Sequence, residues 1–164
     1  MNKKFDARVF RLGHDISLEK IMPCRYPPLG EAPEALDNLF DGGDSGVARK
    51  FKKGDIIVAG RNFGWGDSPG HAVSGLKGAD VPCIIAESFS RPFYRQAINH
   101  GLPLFESSEA FERIADGETI EIDLEKREIT HRKGKIGFPE IPEIIMKIIS
   151  AGGLIPYTRK QIGK

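Results

Sequence analysis

The chain is short of cysteine, of long apolar runs and of net charge, and each shortage removes a class of protein. Only Cys24 and Cys83 occur in 164 residues. They form no CxxC pair and no zinc-ligand spacing, so no metal site is expected in this chain. Cys83 lies within Val81-Pro82-Cys83-Ile84-Ile85-Ala86 and reads as a small core residue. No apolar run approaches the ~20 residues that span a bilayer. Met1 to Phe10 is charged and has no apolar stretch of the signal-peptide kind. The expected compartment is the cytoplasm, with reduced thiols. A net charge of +1 gives no global attraction to nucleic acid or acidic membranes. The basic runs His131-Arg132-Lys133 with Lys135, and Arg159-Lys160, are short and lack interleaved aromatics, so they read as a solvated turn and tail.

What remains is an ordinary globular mixture, 40% hydrophobic and 29% charged, long enough to bury a core as one domain over residues 1–164. Ala7 to Leu12 and Asp55 to Gly60 read as strands. Ala32 to Phe40 carries Leu36, Leu39 and Phe40 at helical spacing before Gly42-Gly43. Pro23 to Gly30 is too proline-rich to be regular. Pro69 to Leu76 should be helical and Val81 to Ala86 a buried strand. Phe89 to His100 should be a second helix, closed by Gly101. Glu118 to Leu124 alternates strictly, as a half-buried strand does, with Glu128 to Arg132 as its hairpin partner. Pro142 to Ala151 reads as a helix capped by Gly152-Gly153. Strands and helices alternate in the middle and antiparallel pairs follow, which predicts a mixed α/β fold.

The chemistry concentrates in Gly64-Trp65-Gly66-Asp67-Ser68-Pro69-Gly70. Gly64 and Gly66 allow a backbone path closed to other residues. Asp67 or Ser68 suits the N-cap, and Pro69 the first helical position. Such a helix end offers free N–H groups to a carboxylate or phosphate. A helix whose own Asp67 satisfies those donors is the competing reading. The spacing is not GxGxxG and no P-loop lysine follows, so a nucleotide site is not expected.

Asn62-Phe63-Gly64, Gly66, Ser68 and His71-Ala72 resemble the aconitase-superfamily motif N-F-G-x-G-S-S-R-E-H-A. Ile85 to Phe89 is similar to its I-A-x-S-F, and Phe93 to Asn99 with Gly101-Leu102-Pro103 to its F-Y-R-N-A-I-N-x-G-L-P. Asp15-Ile16-Ser17 with Ile21, Pro23, Arg25 and Tyr26 resembles D-I-S-T-D-x-I-x-P-x-R-Y, and Ala151 to Leu154 with Tyr157 its A-G-G-L-x-x-Y close. The likeness runs in order through nearly the whole chain, and the length suits the small subunits of the 3-isopropylmalate dehydratase family. This resemblance implies a swivelling β/β/α domain that closes over a large subunit carrying a [4Fe-4S] cluster. Two cysteines could not hold such a cluster here. It also implies removal and re-addition of water on a small hydroxy acid, with a general base and anion contacts from this chain.

The departures fall in the motif itself. The first serine of S-S-R, the family's base, is Asp67. The arginine that grips a substrate carboxylate is Pro69, and the glutamate is Gly70. The threonine and aspartate of S-T-D are Leu18 and Glu19. Ser68, Arg25 and the glycine backbone survive. A lost arginine fork removes a charge-assisted contact of ~1.5–3 kcal/mol, and Asp67 adds negative charge where a dicarboxylate would bind. Three readings stay open. The first is a small subunit acting on a less anionic or differently shaped hydroxy acid, with Asp67 and Ser68 as catalytic residues. The second is an isopropylmalate dehydratase whose carboxylate contacts have moved to Arg25, Arg61 or the partner. The third is a non-catalytic swivel domain for binding or assembly. Arg61 also reads as a plain surface arginine. Trp65 reads as a pocket wall or core. His71 reads as a packing histidine bonded to backbone, and His14 and His100 as turn residues.

Overall fold

A computed structural model describes residues 4–26, 38–41, 46 and 50–163. The Pro27 to Gly30 segment and most of the Ala32 to Phe40 helix lie outside these. Of the three described residues in that span, Leu39 and Phe40 are buried and Asn38 is half-buried.

Seven strands among the described residues form one sheet in the order β4-β3-β2-β1-β5-β6-β7. Its first half is parallel. β1 (Lys4–Arg11), β2 (Ile56–Ala59), β3 (Ile84–Ala86) and β4 (Leu104–Glu106) run side by side, with Val9 opposite Ile56 and Ile57 opposite Ile84. The second half is antiparallel, from β1 to β5 (Thr119–Asp123), then β6 (Glu128–His131) and β7 (Gly134–Gly137). A parallel half needs crossovers, and these place helices on its faces. Accordingly β2 is buried at every position, whereas β5 buries only Ile120 and Ile122 and exposes Thr119. The central position of β1 explains its imperfect alternation, because Val9 enters the core on one face and Phe10 the core on the other.

The helices are α1 (Leu18–Ile21), α2 (Pro69–Gly78), α3 (Arg91–Asn99), α4 (Ser108–Arg113), α5 (Glu143–Ser150) and α6 (Leu154–Gln161). α2 and α3 cover one face with Leu76, Val73, Phe93 and Ala97, and α4 seals the other with Ala110. The expected strand at Val81 starts only at Ile84, after Pro82, which has no N–H to give a ladder. α3 starts at Arg91 because Ser90 caps it, accepting the Phe93 N–H. The sheet curls so that the Phe105 ring of β4 meets Phe138, just past β7, at 4.6 Å. No helix among the described residues is long and apolar enough to cross a membrane.

The C-terminal helix pair is fastened by bare backbone. Gly101 (φ +73°) ends α3, and a Cβ on it would lie 2.6 Å from the Gly152 carbonyl carbon. One on Gly153 would lie 2.5 Å from the Asn99 oxygen. Gly117 shares the left-handed conformation but faces open space. Gly117→Ala should therefore cost about 1 kcal/mol for conformation alone. Gly101→Ala should cost at least ~2 kcal/mol more, since its obstacle is backbone. Urea unfolding of both variants measures the difference.

Candidate functional site

The loop from Gly60 to Ser68 leaves the C-terminal end of β2 and is stitched on both sides. On one side Gly60 N–H donates to Gly13 O, Asp15 N–H to Arg61 O, Gly64 N–H to Ile16 O and Leu18 N–H to Trp65 O, all at 2.8–3.0 Å. On the other, Phe63 N–H donates to Ser88 O (3.0 Å), Ser90 N–H to Phe63 O (2.9 Å) and the Ser90 hydroxyl to Gly64 O (2.7 Å). The loop is thus a short strand-like bridge between the exits of β1 and β3.

Sterics and conformation single out its residues separately. Gly64 (φ +81°) has no room, because a Cβ would meet the Phe93 ring at 2.4 Å. Gly66 (φ +120°) has room, its nearest neighbour being Leu18 at 3.7 Å, so conformation alone requires glycine there. Asn62 and Ser68 also take left-handed backbone, at φ +56° and +63°. Such conformations cost non-glycine residues about 1–2 kcal/mol and concentrate at functional sites. At Asn62 the side chain compensates, donating to Asp15 at 3.1 Å. Ser68 has no such compensation.

The expected side-chain cap is absent. Ser68 stands at the N-cap of α2, but with left-handed backbone in place of the extended backbone of a capping serine, and its side chain makes no capping bond. Asp67 does not cap in its place, and both residues are exposed. The two groups able to act as base and donor are therefore not consumed by their own helix.

Ser68 opens on a cavity of about 410 Å³ shared with Cys24, Tyr26, Gly70, His71 and His100. The Pro23 to Tyr26 segment and the start of α2, distant in sequence, thus meet. Arg25 does not line this cavity and is already engaged. Its guanidinium donates to the Asp41 carboxylate at 2.7 Å and stacks on Tyr26, 5.0 Å from the ring centre. The Tyr26 hydroxyl donates to the same Asp41 oxygen. These two bonds, Tyr26 first, hold the Asp41 carboxyl below the usual range. Asp67 is next to Ser68 but does not line the cavity, and neither does Arg61. The Arg61 main-chain N–H donates to His14 Nδ1 at 2.8 Å. His71 departs from expectation, since its buried Nε2 has no hydrogen-bond partner. His100 caps α3, and burial and then Lys77 push its imidazole below the ordinary value. Trp65 is half-exposed and donates its indole N–H to Asp15 O. Asp41, in an unpatterned stretch, gave no signal in the sequence. A larger cavity, about 480 Å³ between α3 and Phe138–Pro142, lies apart from this loop.

Among the described residues no three His, Cys, Asp or Glu side chains converge as metal ligands. Cys24 is exposed and Cys83 buried, and burial pushes the Cys83 thiol up. This donor set does not fit an iron–sulfur cluster.

The half-parallel sheet and the stitched glycine loop define an aconitase-type small α/β domain. The family described as aconitase C-terminal domain matches residues 41–109. The isopropylmalate/citramalate isomerase small subunit of Methanocaldococcus jannaschii is 41% identical, covering 100% of this chain and 99% of its own. The 3-isopropylmalate dehydratase small subunit 2 of Archaeoglobus fulgidus is 42% identical over 96% of each chain. A crystal structure of the M. jannaschii 3-isopropylmalate dehydratase superposes with a TM-score of 0.86 at 34% identity, over 97% of this chain and 95% of that one. The chain belongs to the 3-isopropylmalate dehydratase small-subunit family, within the aconitase superfamily and its hydro-lyases.

The Asp41 junction is open to a titration test. A depressed carboxyl stabilises the fold above its unfolded value, near 3.9, and loses that contribution as pH falls through the folded value. In ¹³C carboxyl NMR, Asp41 should titrate below the ordinary aspartate value, and Tyr26→Phe should return it part of the way, Arg25 holding the rest.

Proposed function

We propose that this chain is the small subunit of a hydro-lyase, closing over an iron–sulfur large subunit to dehydrate and rehydrate a hydroxy acid. Its substrate preference differs from that of a subunit with the intact S-S-R motif. The observation that carries this reading is the α2 start, where a strained Ser68 opens on a cavity and an exposed Asp67 stands next to it, neither capping the helix, in a member of this family.

The partner's cluster would supply a Lewis acid for the substrate hydroxyl. This chain's part is proton transfer and orientation. Asp67 takes the proton from the carbon beside the carboxylate while the neighbouring carbon loses its hydroxyl, which takes a proton from solvent and leaves as water; hydration runs the same transfers in reverse. The Ser68 hydroxyl donates a hydrogen bond to the carboxylate as charge builds. Gly64 and Gly66 hold the backbone close enough for both. Pro69 offers no fork for a second carboxylate. Arg25 does not readily replace it, because binding substrate would mean leaving Asp41. Arg61 stands outside the cavity. These observations favour a less anionic substrate over relocated carboxylate contacts.

Purification of the chain from its own cells without oxygen should bring a large subunit with iron and sulfide. The complex should turn over hydroxy acids with an uncharged end better than 3-isopropylmalate or citramalate. Asp67→Ala should lower kcat by about 10²- to 10⁴-fold. Pro69→Arg should raise kcat/KM for a dicarboxylate by roughly 10- to 100-fold, the worth of one charge-assisted contact. A well-expressed chain that brings no iron–sulfur partner would replace this reading with a non-catalytic binding or assembly domain. Unchanged turnover in Asp67→Ala would remove Asp67 as the base.

A further inference from the structure

One nitrogen atom at the start of the glycine loop has two claims on it. His14 Nδ1 accepts the Arg61 main-chain N–H at 2.8 Å. The same Nδ1 lies 3.1 Å from Glu87 Oε2, a buried oxygen with no hydrogen-bond partner. A neutral imidazole that accepts at Nδ1 carries its proton on Nε2 and presents only a lone pair to Glu87. An imidazolium turned so that its Nδ1–H faces Glu87 would donate to it and leave the Arg61 N–H without its acceptor. Both bonds cannot be made at once by a single ring nitrogen.

The ring has little freedom to escape this choice. A Cβ on Gly60 would lie 2.1 Å from Nδ1, so the imidazole sits against bare backbone. Phe111 of α4 packs on its face at 4.8 Å between ring centres. The charged groups around it are Glu87 in contact, Arg11 over the Phe111 ring at 4.2 Å, and Asp15 next in the chain, whose carboxylate is bonded to Asn62. Arg61 touches the ring through its main chain.

The two partners belong to the two walls that hold the loop. His14 and Asp15 lie on the β1 side, where Asp15 also binds Arg61, Asn62 and Trp65. Glu87 lies on the β3 side, beside Ser88, whose hydroxyl and carbonyl accept the Asn62 and Phe63 N–H groups. We propose that His14 and Glu87 form a proton-dependent positioning pair for the loop that ends at Asp67 and Ser68. Without a proton on Nδ1, His14 anchors Arg61 and the loop keeps the geometry described above. With a proton taken from solvent, Nδ1 bonds Glu87 instead, the Arg61 N–H is released, and the loop loses its first fastening. This is a positioning role, and its catalytic consequence rests on the hydro-lyase reading.

The test has one arm free of turnover. In the ¹⁵N-labelled full-length chain, the His14 Nδ1 shift and the Arg61 amide proton shift should titrate together, with Arg61 moving upfield as Nδ1 gains its proton. In a ¹³C-labelled sample the Glu87 carboxyl carbon shift should move with them, since Glu87 then gains the Nδ1 proton as a hydrogen-bond donor. In the complex with the large subunit, the acidic limb of the kcat/KM profile should follow the same midpoint. His14→Asn, whose Oδ1 takes the place of Nδ1 without titrating, should keep turnover and lose that limb. His14→Ala should lose activity by about 10- to 100-fold at every pH. Thermal melts identify any variant that fails to fold. An Arg61 amide or a Glu87 carboxyl that stays still while His14 takes up its proton overturns the proposal. A complex inactive on every hydroxy acid removes the hydro-lyase reading, while the NMR arm still decides this one.

Discussion

The site depends on main-chain hydrogen bonding between the Gly60 to Ser68 loop and its two neighbours. Ser17 pairs with Trp65 as one isolated parallel bridge, and Phe63 with Phe89 as another. A surface loop would ordinarily leave its backbone groups to water. This one has its groups taken up by protein on both sides, so its path is fixed by the same kind of bonding that holds the sheet. The strained residues Asn62 and Ser68 persist because that bonding over-determines the path. Any account of reactivity at Asp67 and Ser68 begins from this constraint.

Packing reinforces it from below. Phe63 is fully buried and meets Phe93 edge-on at 5.3 Å, and Phe93 in turn fills the space that Gly64 leaves. An aromatic under the loop and a glycine above it form one fitted unit, with α3 positioned by its contact with the loop. The helix read from the sequence over Phe89 to His100 is therefore the floor of the candidate site.

Most of the fold was legible because its elements carry strong local signals. The β-branched run at Ile56, the alternation at Thr119 to Asp123 and the proline and glycine punctuation around α2 each predicted what is seen. β4 and β7 went unread because three and four residues hold too little periodicity. α6 went unread because it has no buried residue to mark a face. At the candidate site, the glycine path could be read from residue type, since only backbone sterics are involved. The tie between Arg25, Tyr26 and Asp41 could not, because it joins groups 15 or 16 positions apart that share no local pattern. His14 looked like a turn residue because its neighbour Gly13 suggests a turn. Its partners Arg61 and Glu87 are distant in sequence and become visible only when strands β2 and β3 are side by side.

The meeting of Gly101 with Gly152 and Gly153 has a consequence for how the molecule breathes. α5 buries only Ile149 and α6 nothing, so little apolar surface secures them. Their attachment relies on close backbone fit, which falls off abruptly with separation where apolar burial declines gradually. The C-terminal pair is therefore built to detach as a unit at low free energy, while the sheet and the glycine loop stay intact. Amide exchange in α5 and α6 would then report their own opening and not the unfolding of the whole chain.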